Sequence, residues 1–288
     1  MLAQSTKPKI SLKRIVVATD FTSASKAALD RAISIATHYC SKLILVHALE
    51  PAARVQPHET QQLADAEWKL VKEAERCADL ECERHLLTGT TAEVVEQFLA
   101  IDDTDLIVLG IHGRKEFRKL LLSGAEHIFR HVRCPVLVLG PSVSERGGTW
   151  EPKRIMLATD LQSDESRSLA YARALAEEHD ARLVLLHVTS PVGAPYPEDS
   201  ELVLRPYYSS RLVGLVSGRH HGGHQAEVLV EFHHDPVKAI VTVANREAID
   251  LLVLSVHPSA PWTLHFGHSA PRIVAATPCP ALIVQREL

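Results

Sequence analysis

The sequence has little of what marks a fibrous, membrane-spanning or nucleic-acid-binding chain. Its 288 residues include only 13 Gly and 16 Pro, too few for a collagen-like or low-complexity protein. Aromatic residues make up 5%, and no apolar run approaches the roughly 18 residues that a membrane span requires. The formal net charge is −4, which gives no electrostatic footprint for nucleic acid. We therefore expect no nucleic-acid partner and, without an apolar span, no membrane partner.

Cysteine is scarce as well. The five Cys are odd in number and widely scattered, which favours reduced thiols over a disulfide framework. Residues 1–14 lack an apolar core followed by a small-residue cleavage site, so we expect no secretory signal. What is present, 46% apolar and 23% charged residues, is typical of a globular chain. We therefore expect a soluble cytoplasmic protein of one large domain or two ordinary ones.

The sequence repeats itself, with an offset that grows from 140 to 145 residues along each half. The matching pairs are KRIVVATDF (13–21) with KRIMLATDL (153–161), KLILVHA (42–48) with RLVLLHV (182–188), and DLIVLG (105–110) with DLLVLS (250–255). Such self-similarity predicts a tandem duplication. We expect domains at 1–143 and 150–288, joined near a Ser/Gly/Pro stretch at 141–152.

Each half alternates apolar runs with helical segments. In the first half the predicted strands are 15–19, 43–48, 83–88, 105–110 and 135–140, and the predicted helices follow Asp20 and cover 59–80, 91–100 and 123–132. This alternation predicts an α/β fold with a parallel sheet in each half. The segment 190–225 carries four Pro and five Gly, so we expect mostly loop there.

The ordered set ATDF, a strand ending in VHA or LHV, DLIVLGIHGR and RHVRCPVLVLG resembles the universal stress protein family, once in each half. The resemblance is to the tandem form, in which two domains of one chain take the place of a homodimer. It implies two adenine-nucleotide alpha-hydrolase-like domains, each with a five-stranded parallel sheet of order 3-2-1-4-5. It also implies a pseudo-dimer paired through the last strands, Val136–Leu139 and Ala281–Val284, and leaves open a homodimer and an unidentified protein partner.

Some members of this family bind ATP through a pattern G-x-x-G, nine residues, and then G-[S/T]. Glycine backbones and a helix N-terminus suit phosphate oxygens. Gly110 and Gly113 match the first part, and Arg114 is placed to neutralise phosphate. Ser123 and Gly124 stand in reversed order where the family has Gly-Ser. An alternative alignment, shifted by one residue, puts Ser123 at the serine position. The second half of the motif is altered in both alignments.

The resemblance also places Asp20 at the adenosine moiety, with Ala18 and Ala48 flanking the adenine. These positions end or follow strands, at the edge where open α/β sheets bind ligands. The implied ligand is ATP or another adenine nucleotide, in the first domain only, with Mg²⁺ if it is ATP. The alternative is that Asp20 caps the next helix and the glycines only form a turn.

The second half keeps Asp160 but has Ser255 and Pro258 where the first half has its two motif glycines. Proline has no N–H and a fixed φ, so we expect no phosphate cradle in this half. The histidines of 219–234 lack a partner Cys or carboxylate at fixed spacing, which favours solvated loop residues, with a metal site as the alternative. Cys77 and Cys82 have four residues between them and do not form a CxxC redox motif.

The leading hypothesis is a universal stress protein that acts as a nucleotide-responsive regulatory or protective module. A nucleotide-free protein-interaction module is the alternative. A slow ATPase is the least supported hypothesis, because no general base or Mg²⁺-binding carboxylate is recognisable near the phosphate loop. We therefore expect a protein that is not an enzyme, without catalytic or metal-ligating residues.

Overall fold

The structure is a computed structural model. It describes residues 10–49, 59–90, 93–94, 97, 104–111, 132, 134–143, 149–161, 166–189, 200–217, 226–256 and 266–285. The chain forms two compact units, Ser11–Trp150 and a second that contains Glu151–Leu288. The predicted helix at 123–132 and most of the one at 91–100 lie outside the described residues. In the part described, no helix combines the length and the apolarity that crossing a bilayer requires.

The first unit contains a parallel sheet of order β3-β2-β1-β4-β5. Its strands are β1 (Arg14–Ala18), β2 (Lys42–Leu49), β3 (Cys82–Thr88), β4 (Leu106–Gly110) and β5 (Val136–Leu139). Its helices with printed bounds are α1 (Ser23–Tyr39) and α2 (Glu59–Glu75). The predicted strand order is confirmed. The predicted helix 59–80 extended too far, because turns follow from residue 76.

The second unit repeats this sheet in the order β8-β7-β6-β9-β10, again with parallel pairing. Its strands are β6 (Arg154–Thr159), β7 (Arg182–Thr189), β8 (Glu227–Phe232), β9 (Leu251–Val256) and β10 (Ala281–Gln285). Its helices are α3 (Ser166–Glu178), α4 (Ser200–Ser217), α5 (Pro236–Arg246) and α6 (Phe266–Ala276). The predicted α/β class and the tandem organisation are both confirmed.

An aspartate at the start of the fourth strand fixes the first strand in each unit. Asp105 Oδ2 accepts hydrogen bonds from the backbone N–H groups of Lys13 and Arg14, at 2.7 and 2.9 Å. Asp250 Oδ2 does the same for the first residue of β6 and the residue before it, both at 2.9 Å. The aspartate of the repeated Asp-Leu therefore has a structural role, since it satisfies backbone N–H groups where the central strand of each sheet begins.

The prediction of loop over 190–225 was wrong, because α4 occupies Ser200–Ser217. The Pro and Gly residues of this segment concentrate in its flanks, and only Pro206 and Gly214 fall within the helix. Packing stabilises the helix: Leu212 is fully buried, and Arg205 Nη1 donates to Val230 O at 2.5 Å. The composition of the whole segment did not indicate where the helix begins and ends. Within the helix, tertiary contacts outweigh the free-energy cost of one internal proline.

Candidate functional site

A change of direction in the strand order places the candidate site of the first unit. From β1 the chain crosses to β2 on one side, and it later returns to β4 on the other. Open α/β sheets bind ligands outside the carboxyl ends of the strands at this point. Ala18 ends β1, Gly110 ends β4, Ala48 lies near the end of β2, and Asp20 follows β1. These four predicted residues share one edge of the sheet. The other four, Gly113, Arg114, Ser123 and Gly124, lie outside the described residues.

Asp20 helps to begin α1. Its Oδ1 accepts hydrogen bonds from Thr22 N at 3.0 Å and from Thr22 Oγ1 at 2.6 Å. Thr22 is the N-cap and in turn accepts from Ser25 N at 3.3 Å. The expectation that Asp20 itself caps α1 was therefore wrong: Thr22 is the cap, and Asp20 supports it through two hydrogen bonds to that residue. Asp20 is nevertheless exposed, and among the described residues no hydrogen bond to its second oxygen, Oδ2, is found. One oxygen is used structurally, and the other remains available to a ligand.

Phe21 adopts a backbone conformation that is unusual for a bulky residue. Its φ is 64°, in the left-handed region where a non-glycine residue is strained. Its N–H donates to Thr19 Oγ1 at 3.1 Å. Its ring packs on the His47 imidazole with 4.3 Å between centroids, and Lys69 Nζ lies 5.7 Å from the ring centroid. Strain of this kind is concentrated at ligand sites.

His47 has a fixed orientation in this arrangement. Its Nδ1 donates to Thr19 O at 2.7 Å. In the neutral ring, Nε2 is then the nitrogen that can accept a hydrogen bond. The predicted site did not include His47, its aromatic partner Phe21 or the cation Lys69. The sequence does carry a signal for Phe21, since a bulky residue follows ATD in both halves. The structure gives both of these residues a positive φ, which is 57° for Leu161.

Gly110 is required by the approach of α1. A Cβ at this position would lie 2.7 Å from Ser25 N and closer still to the carbonyl of Ala24. All of these neighbours are backbone atoms, so they cannot rotate away. The absence of a side chain at the end of β4 therefore allows the start of α1 to pack directly against the strand. This role of Gly110 in packing is independent of any bound phosphate.

The equivalent edge of the second unit is covered by α4. Tyr208 of that helix packs its ring on His187 with 4.6 Å between centroids, and Arg211 Nη2 donates to Leu161 O at 2.6 Å. His187 and Leu161 are both 6% exposed, whereas His47 and Phe21, which match them in sequence, are partly exposed. The two halves thus share a fold but differ in access: this edge is open in the first unit and closed in the second.

This difference predicts how His187 titrates. Burial lowers the pKa of His187, and the neighbouring Arg211 guanidinium adds to the effect. Replacing Tyr208 with alanine admits water to the imidazole, so we expect the pKa of His187 to rise toward its usual value of about 6.5. Titration of the His187 ring by NMR measures the shift. Leu202→Ala is the matched control, since Leu202 lies on the same helix but is 73% exposed.

The same shift has a definite sign in stability. Below about pH 6.5 the unfolded chain protonates His187 while the folded chain still resists protonation. The stabilisation from neutral His187 is therefore complete above that pH and decreases as the pH falls toward the lower folded pKa. A His187 that titrates at or above the usual value in the wild-type chain would contradict the burial described for this edge.

The described residues offer little for a metal. They contain no group of three or more His, Cys, Asp or Glu placed to hold an ion. Of the His-rich stretch, 218–225 lies outside the described residues. His233 has a structural contact, because its Nδ1 accepts from Asp235 N at 2.8 Å. Asp235 in turn caps α5 by accepting from Val237 N and Lys238 N.

Relatives of this chain match one half at a time or span both halves. A universal stress protein of Thermus aquaticus is 31% identical over 138 residues, which are 46% of this chain and 98% of that protein. One from Methanocaldococcus jannaschii is 26% identical over 138 residues, 44% of this chain and 81% of that protein. The crystal structure of a universal stress protein from Archaeoglobus fulgidus covers 96% of this chain and 98% of its own, with a TM-score of 0.68 and 14% identity. At that identity the likeness concerns the fold alone.

The family model described as the universal stress protein family matches the chain twice. The matches cover residues 11–140 and 151–285. Each match contains one complete set of the five strands described above. The chain therefore belongs to the universal stress protein family and carries two copies of its domain.

Proposed function

We propose that the first unit binds ATP or another adenine nucleotide, and that the chain acts as a nucleotide-responsive regulatory or protective module rather than an enzyme. The observation that carries the proposal is the difference in access between the two halves. Ala18, Phe21, His47 and Ala48 are partly exposed and Asp20 is exposed at the point where the strand order reverses. In the second unit the counterparts of the first four, at 158, 161, 187 and 188, are buried, and Asp160 is partly exposed. Ligand sites in open α/β sheets lie at this point.

The chemistry of this edge suits a nucleoside. The small side chains of Ala18 and Ala48 leave room for a planar base, and the rings of Phe21 and His47 supply an aromatic surface. Asp20 Oδ2 is placed to accept hydrogen bonds from ribose hydroxyls, which charge assistance strengthens. Lys69 brings a cation to the same place and favours an anionic ligand. The phosphates would extend toward Gly113, Arg114, Ser123 and Gly124, as the family motif implies.

Mg²⁺ would enter with ATP rather than occupy a site built by the protein. Asp20 is the carboxylate that this edge contributes, and one of its oxygens already binds Thr22. Magnesium sites that rely on a single carboxylate take most of their remaining ligands from water and from substrate phosphates. The nucleotide would therefore hold the ion, and affinity for ADP or AMP would not require it.

Equilibrium dialysis with labelled ATP tests the proposal. We expect saturable binding below about 1 mM, which corresponds to roughly −4 kcal/mol. Adenosine should compete, and inorganic tripolyphosphate should compete less well, because much of the contact is with the nucleoside. Release of phosphate from the same samples above that of a no-protein blank would favour the slow ATPase instead. Absence of saturable binding over this range would reject the nucleotide proposal and leave the interaction module.

One observation favours that second candidate. Helix α4 exposes apolar side chains that a folded chain usually buries: Leu202 is 73% exposed and Val203 is 71% exposed. Apolar groups of this size on one turn of a helix are typical of a surface that contacts another protein. A nucleotide-free stress protein that works through protein contacts would use such a surface.

A further inference from the structure

The helix that follows the second strand of each unit, α2 or α4, packs in the same rotational setting in both units. Leu70 of α2 matches Leu212 of α4, because each is the most deeply buried apolar residue that its helix contributes to the core. One residue earlier, Lys69 matches Arg211. Each cation reaches the bulky residue that follows ATD in its own unit, through the ring in the first unit and through the backbone oxygen in the second. The two helices can therefore be compared position by position.

This comparison places Ala66 opposite Tyr208. Ala66 lies one helical turn before Leu70, and Tyr208 lies one turn before Leu212. Ala66 is 6% exposed, so it faces the sheet rather than solvent. Tyr208, at the same position of α4, packs its ring on the imidazole of His187. The first unit thus has a methyl group where the second unit has a phenol ring.

Large and small side chains are exchanged between two positions. In the first unit Phe21 is aromatic and Ala66 is small, whereas in the second unit Leu161 has no ring and Tyr208 supplies one. Each unit therefore places one aromatic ring on its strand-terminal histidine. The centroids are 4.3 Å apart with 36° between the planes in the first unit, and 4.6 Å apart with 40° in the second. The ring comes from the loop after the first strand in one unit and from the helix in the other.

The origin of this ring coincides with the accessibility of the histidine. His47, which carries the loop ring of Phe21, stays partly exposed. His187, which carries the helix ring of Tyr208, is buried. A ring on α4 is held by a helix that packs on the sheet through the buried Leu212. It therefore covers the histidine permanently from the side on which a planar ligand would approach.

The second unit retains part of the nucleoside-facing surface beneath this cover. Ala158 and Asp160 are the same residue types as their counterparts in the first unit, whereas Val188 is larger than Ala48. The glycines of the phosphate motif are missing, as described above. Since glycine backbones are what suits phosphate oxygens, an uncovered second edge would suit a nucleoside better than a triphosphate.

We propose that these two positions are the specificity-determining residues that select which copy of the domain admits a nucleoside. Phe21 with Ala66 leaves the first edge open, and Leu161 with Tyr208 closes the second. The inference rests on the proposed function of the open edge as a nucleotide site, and it adds the side chains that restrict this function to one copy. The Tyr208 ring stands in the second unit where the base of a ligand would pack.

Reciprocal exchange of the two pairs tests the proposal. Phe21→Leu with Ala66→Tyr should weaken ATP binding about tenfold or more, because a ring then blocks the approach of the base. Leu161→Phe with Tyr208→Ala should add a second equivalent of bound adenosine, and ATP should bind this new site no more tightly than adenosine does. Ala64→Tyr is the matched control, since residue 64 is on the same helix but exposed, and it should bind ATP as wild type does.

Carbethoxylation of histidine by diethyl pyrocarbonate reports access without any ligand. His47 is the one histidine of the tryptic peptide 43–54, and His187 is the one histidine of the peptide 183–211, which is not cut after Arg205 because proline follows. In wild type we expect modification of His47 and protection of His187. The exchange in the first unit should protect His47, and the exchange in the second should expose His187.

The two proposals fail in different ways. If wild type does not bind ATP but the labelling follows the exchanges, the nucleotide proposal is wrong and the control of access stands. If wild type binds ATP and the variant with Phe21→Leu and Ala66→Tyr binds it equally well, the selection by these positions is overturned. Labelling that the exchanges leave unchanged, in variants with a cooperative melting transition, also overturns it. If a double variant does not fold, Tyr208→Ala alone provides the test through the labelling of His187.

Discussion

Replacement of Gly110 by alanine is expected to lower the free energy of unfolding of the first unit by about 3 kcal/mol, the upper part of the range for overpacking. The added Cβ would lie 2.7 Å from Ser25 N and still closer to the Ala24 carbonyl. Backbone atoms at the start of a long helix cannot yield as a flexible side chain does, so α1 has to shift away from β4. Urea unfolding followed by tryptophan fluorescence measures the loss, since Trp68 and Trp150 both belong to this unit.

Gly214→Ala is the matched control for that experiment. Gly214 lies inside α4, and a Cβ there would meet nothing within 4 Å. Alanine is favoured over glycine in a helix interior by roughly 0.5–1 kcal/mol, so this variant should be slightly more stable than wild type. Equal stability of the two alanine variants would contradict the close packing of α1 on β4.

Replacement of Asp20 by asparagine is expected to weaken ATP binding about tenfold, the value of one charge-assisted hydrogen bond. Asparagine keeps the Oδ1 acceptor that Thr22 uses at 3.0 and 2.6 Å, so the cap of α1 should survive. It replaces the second carboxylate oxygen with an amide donor and removes the charge. The ratio of dissociation constants, with melting temperature measured in parallel, separates ligand binding from helix capping.

Asp160→Asn is the internal control, because Asp160 is the counterpart of Asp20 in the second copy. The edge beside it is covered by Tyr208 and Arg211, so its substitution should leave ATP affinity unchanged. If Asp20→Asn bound ATP as wild type does, the only role of Asp20 would be to hold the N-cap residue Thr22. If Asp160→Asn weakened binding as much as Asp20→Asn, the assignment of the ligand to the first unit would be wrong.

The sheet was predictable from the sequence because it depends on two local features, the apolar runs and their alternation with helical segments. Short apolar runs such as those at 15–19 and 43–48 form strands buried on both faces, and their alternation with helices requires parallel pairing. The segment 190–225 was not predictable in this way. Its helix is stabilised by long-range contacts such as that of Arg205 with Val230. Most of the Pro and Gly residues of the segment lie outside the helix, so the composition of the whole segment did not indicate it.

The candidate site was predictable only in its outline. The family resemblance identified Asp20 and Gly110, and their positions at or just after strand ends predicted that they share one edge of the sheet. The closeness of Gly110 to Ala24 and the stacking of Phe21 on His47 depend on how α1 and β2 pack, which periodicity does not encode. The closure of the second edge by Tyr208 is likewise a tertiary feature. The missing glycines predicted no phosphate cradle in the second half, and the structure adds a steric reason why a nucleotide would not bind there.

The number of nucleotides bound per chain distinguishes one open site, in the first unit, from two equivalent sites. Isothermal titration of the full chain with ATP, at a protein concentration above the dissociation constant, gives this number. We expect one equivalent. Two equivalents would show that Tyr208 and Arg211 do not close the second edge, and none would show that the open edge of the first unit is not a nucleotide site.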